Sequence, residues 1–335
     1  MRKFVACVRA VINYKNDTLI TCSLRIREFS SQFVPVQGGG MEIKMKISVS
    51  SYSFSGDIKK GVLSLYDCAR RAKEYGYDAV EYTDMPGETF KEQAAAAKKV
   101  RQSADEAGLP ISAYSIGADL FSEDKSDVKK EIERVKSQVE IAAILGAGIM
   151  RHDVCYNLGK TGNTRSFGLM LPTISEAARE ITEYAKKLSI KTCTENHGYI
   201  AQDSYRVESL FNAVAHDNYG LLVDIGNFVC ADEDNALAVS KVAPYAIYVH
   251  VKDMLVRDYK TGMCCNMTRG GRYFCGTVIG EGDVDIKRCL NILVRAGYDG
   301  YVSVEYDREN NSCEAVKQSL INLNKFFDEL NIKRK

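Results

Sequence analysis

Apolar and polar positions alternate with two different periods along the chain. From Met45 onward, short β-branched runs alternate with amphipathic stretches of ten to twenty residues. The first pattern predicts strands and the second predicts helices. We predict strands at 46–50, 79–83, 110–115, 148–153, 191–196, 220–225, 246–251 and 301–306. We predict helices near 61–75, 88–107, 126–145, 173–188, 204–216, 234–242, 285–296 and 313–330.

The strict alternation of strands and helices is typical of a closed barrel. We therefore expect an α/β protein of the (β/α)₈, or TIM barrel, class. Segments 76–82 and 297–306 both begin Gly-Tyr-Asp and end Val-Glu-Tyr, as repeated βα units should. An open doubly wound sheet is the alternative, but no Gly-x-Gly-x-x-Gly follows the first strand. We expect residues 45–335 to form one catalytic domain.

Residues 1–44 depart from this pattern and are expected to be an N-terminal extension. They begin like a signal peptide, but Arg9 and Asn13 interrupt the apolar stretch, and no small-residue cleavage site follows. Three glycines stand immediately before Met41. A purine-rich ribosome-binding sequence, if it were translated, would encode glycines at these positions. Our hypothesis is that translation natively starts at Met41 or Met45.

Charge and composition narrow the classes of function. The 335 residues include 45 basic and 44 acidic side chains, a net charge of +1. This balance provides no electrostatic surplus for nucleic acid or an anionic membrane, and no apolar run reaches the roughly 18 residues that span a bilayer. The eleven cysteines show no paired Cys-x-x-Cys spacing, which favours reduced thiols. We expect a cytoplasmic protein that binds neither nucleic acid nor membrane.

Four consecutive predicted strands end in polar residues that a purely structural strand avoids. The fifth ends near Glu195, the sixth near Asp224, the seventh near His250 and the eighth near Glu305. Active residues of an α/β barrel lie at the C-terminal ends of its strands, so these side chains should converge. Three carboxylates would repel one another there without a cation. We predict a divalent-metal site, with Mn²⁺ as the expected ion and Mg²⁺, Co²⁺ or Zn²⁺ as alternatives.

Two further polar residues share faces with these predicted ligands. His197 follows Glu195 by two residues, and Lys252 follows His250 by two residues. Period-2 alternation therefore directs them towards the barrel mouth. We expect His197 to act as an acid or base, with a loop histidine bonded to the backbone as the alternative. We expect Lys252 to contact a hydroxyl, an enediolate or a phosphate.

Other substrate contacts are expected around the mouth. The fourth strand ends near a histidine that either touches substrate or pairs internally with a carboxylate, and a long segment, 253–284, follows the seventh strand. A segment of this length is expected to cover the mouth as a lid or to contact a partner chain. The candidate substrate-binding residues are His152, Asn227, Arg269, Arg272 and Glu281.

The motifs TENHG, LVDIGN, HVKD, GEGDVD and VSVEYD occur in this order. In order and spacing they resemble the xylose-isomerase-like barrel superfamily, which contains sugar phosphate isomerases and epimerases, ketose 3-epimerases, inosose dehydratases and endonuclease IV. The resemblance implies that Glu195 and Glu305 are metal ligands that also act as acid and base. The full ligand set that it implies is Glu195, Asp224, His250 and Glu305.

The resemblance implies proton chemistry beside a carbonyl. The first hypothesis is a sugar isomerase or epimerase, in which a carboxylate removes the α-proton and the metal stabilises an enediolate. The second is a lyase acting on inososes or 3-oxo-sugars, as inosose dehydratases and catalytic subunits of C-glycoside-cleaving enzymes do. Asn227 replaces a histidine that is usual in ketose 3-epimerases, and this supports the lyase, as does His197 as an extra base.

Two other classes of function fit the sequence less well. A repair enzyme like endonuclease IV has a trinuclear zinc site, which needs more histidines than the four in this chain. A catalytically inactive binding barrel has no need to keep four convergent ligands. We expect a small sugar as the substrate and a homo-oligomer as the assembly. A C-glycoside-cleaving enzyme would also need a small β-rich partner subunit.

Overall fold

Eight parallel strands close into a barrel in the computed structural model, which describes residues 44–160, 166–264, 266–308 and 310–335. The strands are β1 (Lys44–Ser50), β2 (Ala79–Thr83), β3 (Ile111–Ile116), β4 (Ile149–His152), β5 (Lys191–Glu195), β6 (Tyr219–Asp224), β7 (Ala246–Val251) and β8 (Tyr301–Val304). Each strand pairs with the next along the chain. The circle closes where β8 pairs with β1, with Tyr301 opposite Lys46. The predicted (β/α)₈ barrel is confirmed, and the predictions on residues 1–40 fall outside the described residues.

Eight helices follow the strands in the predicted order. They are α1 (Cys68–Tyr75), α2 (Phe90–Glu106), α3 (Lys125–Leu145), α4 (Phe167–Lys187), α5 (Ser204–Val214), α6 (Asn235–Val242), α7 (Ile286–Arg295) and α8 (Ser312–Glu329). Side-chain caps set several starts: Thr89 and Glu92 form a capping box at α2. None of the described helices is long and apolar enough to cross a membrane.

One helix start differs clearly from the prediction. The third helix, predicted near 126–145, begins at Lys125, and the side chain of its N-cap Asp124 accepts a hydrogen bond from the Ser126 amide. The fourth helix was predicted to begin near residue 173, but α4 begins at Phe167, after the N-cap Ser166. Pro172 therefore lies inside the helix, where it lacks the amide that would donate to the preceding turn.

Shorter elements fill the connections. A short α-helix, Ser55–Lys59, follows β1, and Lys333–Arg334 add a short parallel strand beside the start of β1. Turns of 3₁₀ helix occur at Ser51–Phe54, Leu65–Asp67, Asn227–Ala231 and Ala243–Tyr245. The long segment after β7 contains an antiparallel sheet, which we call the small sheet, formed by the strands Asp253–Arg257, Asn266–Met267 and Tyr273–Thr277.

The barrel interior is built in layers because side chains alternate along each strand. Most apolar side chains face outward and pack against the helices in one large core. A separate apolar cluster fills the inside of the barrel and includes Cys193, Leu222 and Tyr248. Each of these three residues precedes a predicted metal ligand by two positions. The next layer towards the C-terminal ends of the strands is therefore the polar one.

Asp57, in the short helix Ser55–Lys59 after β1, holds the start of α8. Its carboxylate accepts hydrogen bonds from the Ser312 hydroxyl (2.9 Å) and the Cys313 amide (2.7 Å). The helix N-cap, Asn311, makes no side-chain capping bond of its own. Burial acts to raise the pKa of Asp57, but these hydrogen bonds outweigh it and hold the pKa below the ordinary value. These bonds thereby fix the N-terminal end of α8 against the segment that follows β1.

Asp57→Asn should lower the free energy of unfolding by about 1 kcal/mol at pH 7, because charge-assisted hydrogen bonds become neutral ones. Since the folded pKa is depressed, the stabilisation is present above the unfolded value of about 3.9 and is lost as pH falls through the folded pKa. Urea unfolding of both proteins, at steps of about one pH unit between pH 3 and pH 7, measures the free energy of unfolding. The difference in the free energy of unfolding between the two proteins should shrink towards pH 3. The control is Asp328→Asn, an exposed change on α8, which should have little effect at any pH.

Candidate metal centre and cavity

Four side chains from neighbouring strands converge at the C-terminal end of the barrel. Glu195, Asp224, His250 and Glu305 each offer one ligand atom, and these atoms lie within 4.8 Å of one another. His250 Nδ1 lies 3.7 Å from Glu195 Oε1, 3.9 Å from Asp224 Oδ2 and 3.7 Å from Glu305 Oε2. The adjacency of β5, β6, β7 and β8 in the sheet accounts for this convergence.

The orientation of His250 is set by a buried glutamate on β2. His250 Nε2 lies 2.8 Å from Glu81 Oε2, so Nδ1 faces the four-residue cluster. Glu81 also accepts hydrogen bonds from the hydroxyls of Ser115 and Ser303, at 2.5 and 2.9 Å. Burial acts to lower the pKa of His250, but the Glu81 and Glu305 carboxylates outweigh it and raise the pKa well above the ordinary value. A carboxylate behind a histidine is a frequent arrangement for metal ligands.

Asp224 is oriented in the same way by backbone amides. Its Oδ1 accepts hydrogen bonds from the amides of Gly226 (2.8 Å) and Asn227 (2.9 Å). The Asn196 side chain pairs with the backbone of Asp224 through both its amide oxygen and its amide nitrogen. These bonds hold the end of β6 and leave Oδ2 for the cluster.

The four residues fit a divalent cation. Both Asp224 Oδ2 and His250 Nδ1 are buried, and neither has a hydrogen-bond partner. An unsatisfied buried polar atom costs about 1–3 kcal/mol, and a cation between these atoms would remove that cost. Burial, together with the neighbouring Glu195 and Glu305 carboxylates, raises the pKa of Asp224 to about 7, against the lowering effect of Lys252. Three carboxylates and one imidazole suit Mn²⁺, Mg²⁺, Co²⁺ or Zn²⁺.

Two cationic side chains offset part of the negative charge of the carboxylates. Lys252 Nζ lies 3.2 Å from Asp224 Oδ2 and is in direct contact with Glu305 Oε2. Arg151 bonds to Glu195 Oε2 at 2.7 Å and to Asp153 Oδ1 at 2.9 Å. Burial acts to raise the pKa of Glu195, but the Arg151 guanidinium and then His250 outweigh it and hold the pKa well below the usual range. Glu195 is therefore held as a carboxylate.

His197 stands beside the cluster and pairs with a buried aspartate. Its Nδ1 lies 3.0 Å from Asp153 Oδ1, and the ring lines the cavity. Burial acts to lower the pKa of His197, but the Asp153 carboxylate outweighs it and raises the pKa. Asn227 Nδ2 donates to Glu195 Oε1 at 2.8 Å, so Asn227 contacts a predicted ligand directly.

A cavity of about 490 Å³ opens above the cluster. This volume is in the range of small-molecule sites. Residues from the ends of β2 to β8 and from the small sheet line it. They include the predicted residues Glu195, His197, Asn227, His250, Lys252 and Glu305.

The other predicted substrate-binding residues lie outside the cavity lining. His152 is fully buried and its Nδ1 faces the carbonyl of Asp153 at 2.9 Å. Arg269 and Arg272 pair with aspartates of the β5–α5 connection and of the 3₁₀ turn after β6, as the ion pairs Arg269–Asp203 and Arg272–Asp232. Glu281 is exposed on the surface. The expectation that these four residues contact substrate remains a prediction.

Several residues around the cluster were absent from the sequence-based set, among them Glu81, Arg151 and Asp153. A signal for Glu81 existed, since the internal repeat aligns it with Glu305 as the glutamate of Val-Glu-Tyr. A charged residue within a short buried strand is a second signal. Arg151 and Asp153 flank His152 at the end of β4, and alternation places them on the opposite face from it.

Comparison with known proteins assigns the chain to a family. The family described as xylose isomerase-like TIM barrel matches residues 69–326, and the chain belongs to this family. An inosose dehydratase of Clostridium perfringens is 26% identical over 141 residues, which are 41% of this chain and 47% of that protein. The chain thus spans about half the length of the inosose dehydratases that it matches.

Two further comparisons cover more of the chain. An L-ribulose-5-phosphate 3-epimerase, UlaE of Shigella flexneri, is 24% identical over 271 residues, covering 74% of this chain and 85% of that protein. A crystal structure of the IOLI protein with a zinc atom has a TM-score of 0.66 at 16% identity, covering 85% of this chain and 99% of that one. The structural likeness supports the fold.

Removal of one carboxylate charge from the cluster should weaken metal binding. We expect Glu195→Gln and Asp224→Asn each to lower the affinity for Mn²⁺ at least about 100-fold, which corresponds to about 2.7 kcal/mol. Calorimetric titration of the metal-free protein measures this. Glu180→Gln, an exposed change on α4, is the matched control. Unchanged affinity in both cluster variants would show that these residues do not hold the metal.

Glu81→Gln tests the residue behind His250. We expect it to lower the Mn²⁺ affinity about 10- to 100-fold, because the oriented carboxylate behind a metal-binding histidine is lost. Ser303→Ala, which removes one hydroxyl donor to Glu81, should have a smaller effect. Circular dichroism establishes that both variants are folded. An effect of Ser303→Ala as large as that of Glu81→Gln would contradict the orienting role.

Proposed function

We propose that the protein is a divalent-metal-dependent sugar isomerase or epimerase that removes a proton next to a carbonyl. The observation that carries this proposal is the cluster at the bottom of the cavity, in which the buried atoms Asp224 Oδ2 and His250 Nδ1 make no hydrogen bond and lie close to the other two candidate ligand atoms. The relatives named as inosose dehydratase and as L-ribulose-5-phosphate 3-epimerase support a sugar-like carbonyl compound as substrate.

We assign the proton transfers to Glu195 and Glu305. When bound by the four-residue cluster, a divalent ion supplies Lewis acidity that makes the α-proton of a carbonyl compound more acidic. The Glu195 carboxylate pairs with Arg151, which favours its ionised form, and accepts a hydrogen bond from Asn227. Glu305 follows the end of β8 and lines the cavity beside the Lys252 ammonium. Lys252 is placed to bind a substrate oxygen as negative charge develops there.

A second candidate, a lyase, is favoured by the pair formed by Asp153 and His197. Elimination needs an acid that gives a proton to the departing hydroxyl after the α-proton has been removed. His197 directs Nδ1 to Asp153, which leaves Nε2 for a ligand in the cavity. Isomerisation through Glu195 and Glu305 has no need for this third group. The pair therefore supports a dehydratase that acts on an inosose or a 3-oxo-sugar.

Hydrogen exchange tests proton abstraction independently of the final product. We expect the Mn²⁺-loaded protein, incubated in D₂O with ketoses or inososes, to incorporate deuterium next to the carbonyl of its substrate. Glu305→Gln should slow this exchange at least about 100-fold, as loss of a general acid or base does. Mass spectrometry of the recovered sugar measures the uptake. Exchange that survives both metal chelation and Glu305→Gln would refute the proposal.

His197→Gln separates the two candidates. If the protein is a lyase, we expect the variant to release water from an inosose about 100-fold more slowly than the unchanged protein. Deuterium uptake next to the carbonyl should continue, because His197 acts after that step. His216→Gln, near the end of α5 and paired with Glu183, is the control. If His197→Gln leaves both rates unchanged, His197 has no part in the reaction and the isomerase is favoured.

A further inference from the structure

The wall of the cavity carries more negative than positive side chains. Its acidic residues are Asp84, Asp153, Glu195, Glu305 and Asp307. Among the described residues, the lysines and arginines that line it are Lys252 and Arg151 alone. Asp224, buried just beneath, adds a further carboxyl group. His197 also lines the cavity; burial acts to lower its pKa, but Asp153 outweighs burial and raises it. Even with a divalent ion bound and His197 protonated, these six carboxylates would still outweigh the positive charges.

Both cations are already engaged by carboxylates. Arg151 is held between Glu195 and Asp153, and its Nη1 also donates to the Ile116 carbonyl at 3.1 Å. Lys252 lies between Asp224 and Glu305. Recognition of a phosphate normally needs an arginine fork, a lysine or an array of backbone amides directed at it. These two side chains are placed at the metal cluster instead, so neither provides a separate phosphate subsite.

The remaining carboxylates are suited to accept hydroxyl groups. Asp307 accepts a hydrogen bond from the Tyr52 hydroxyl at 2.7 Å, and Asp153 accepts one from the Tyr156 hydroxyl at 2.8 Å. An ionised carboxylate has about four lone-pair sites, so acceptor capacity remains on each. Asp84 also lines the cavity, and burial raises its pKa above the ordinary value. Carboxylates bind sugar hydroxyls well and repel phosphate oxygens.

We propose that the cavity selects an uncharged, polyhydroxylated carbonyl compound and rejects its phosphate esters. This inference rests on the proposed function, because it names the substrate class for the same site. Salt does not remove the repulsion: the Debye length at physiological ionic strength is about 8 Å, and a ligand in a cavity of about 490 Å³ stays close to the walls. The carboxylates away from the metal cluster, Asp84 and Asp307, set the discrimination.

Matched pairs of a ketose and its phosphate ester test the proposal with the Mn²⁺-loaded protein. D-fructose with D-fructose 6-phosphate, and D-tagatose with D-tagatose 6-phosphate, are offered at equal concentrations in D₂O. We expect deuterium uptake by the free sugar to exceed that by its ester at least about 100-fold in kcat/KM, equivalent to about 2.7 kcal/mol. Equal or faster exchange of the ester would overturn the substrate class and leave the proposed proton abstraction standing.

Variants connect the discrimination to particular carboxylates. Asp84→Asn and Asp307→Asn keep an oxygen that can accept hydrogen bonds from the Gly117 amide and the Tyr52 hydroxyl. Each should narrow the ratio between free sugar and ester about tenfold, mainly through a lower KM for the ester. Asp299→Asn, an exposed change at the opposite end of the barrel, should leave the ratio unchanged. Ratios that stay constant in both cavity variants would overturn the proposal.

If neither sugar takes up deuterium, a binding measurement tests whether the cavity rejects phosphate-like anions. Sulfate is the probe, because it is a phosphate-like dianion that does not precipitate Mn²⁺. Calorimetric titration of the Mn²⁺-loaded protein with sulfate should give no binding at millimolar concentration, whereas Asp307→Lys should bind it. Absence of exchange from all sugars then counts against the proposed function alone. Binding of sulfate by the unchanged protein, abolished by Lys252→Met, would reveal an anion subsite in the cavity and overturn the inference.

Discussion

Several carboxylates share a small buried volume at the end of this barrel, and the rest of the site depends on how their charge is compensated. Two unit charges 4 Å apart interact by about 4 kcal/mol at an effective dielectric constant of 20. Glu195, Asp224 and Glu305 could not all remain ionised at their spacing without nearby positive charge. Arg151 and Lys252 supply part of it. The buried atoms of Asp224 and His250 that make no hydrogen bond indicate where a cation would supply the remainder.

The barrel makes this concentration of charge tolerable because it separates polar from apolar layers. Alternation places Cys193, Leu222 and Tyr248 one layer below Glu195, Asp224 and His250, and these lower residues form a closed apolar cluster. Burial strengthens each electrostatic contact above them. The same burial makes every unpaired polar atom expensive, which explains why Glu81 is saturated by His250 and two serine hydroxyls.

Asp153 connects Arg151, beside the four-residue cluster, to His197. One carboxylate contacts Arg151, which holds Glu195, and also contacts His197 and Tyr156. A change in charge at the cluster would therefore alter the electrostatic environment of His197 through a short chain of ion pairs. This connection suits a reaction in which removal of the α-proton precedes protonation of a departing group. It also explains why Arg151 is unavailable as an independent anion-binding residue.

The sequence by itself determined the barrel and the four polar side chains that converge at its C-terminal end. Periodicity located every barrel strand to within two residues at either end, because the apolar pattern is local. The identities of Glu195, Asp224, His250 and Glu305 followed from their common place at strand ends. Their roles as ligands, and those of His197 and Lys252 in the reaction, remain predictions.

Only the tertiary structure decided the partners of these residues. Glu81 and His250 are 169 positions apart, and no local pattern indicates that β2 and β7 face each other across the barrel. The ion pairs of Arg269 with Asp203 and of Arg272 with Asp232 likewise join residues that are far apart in the sequence. Strand ends are dictated by neighbouring residues, whereas charge compensation is dictated by distances between residues far apart in the chain.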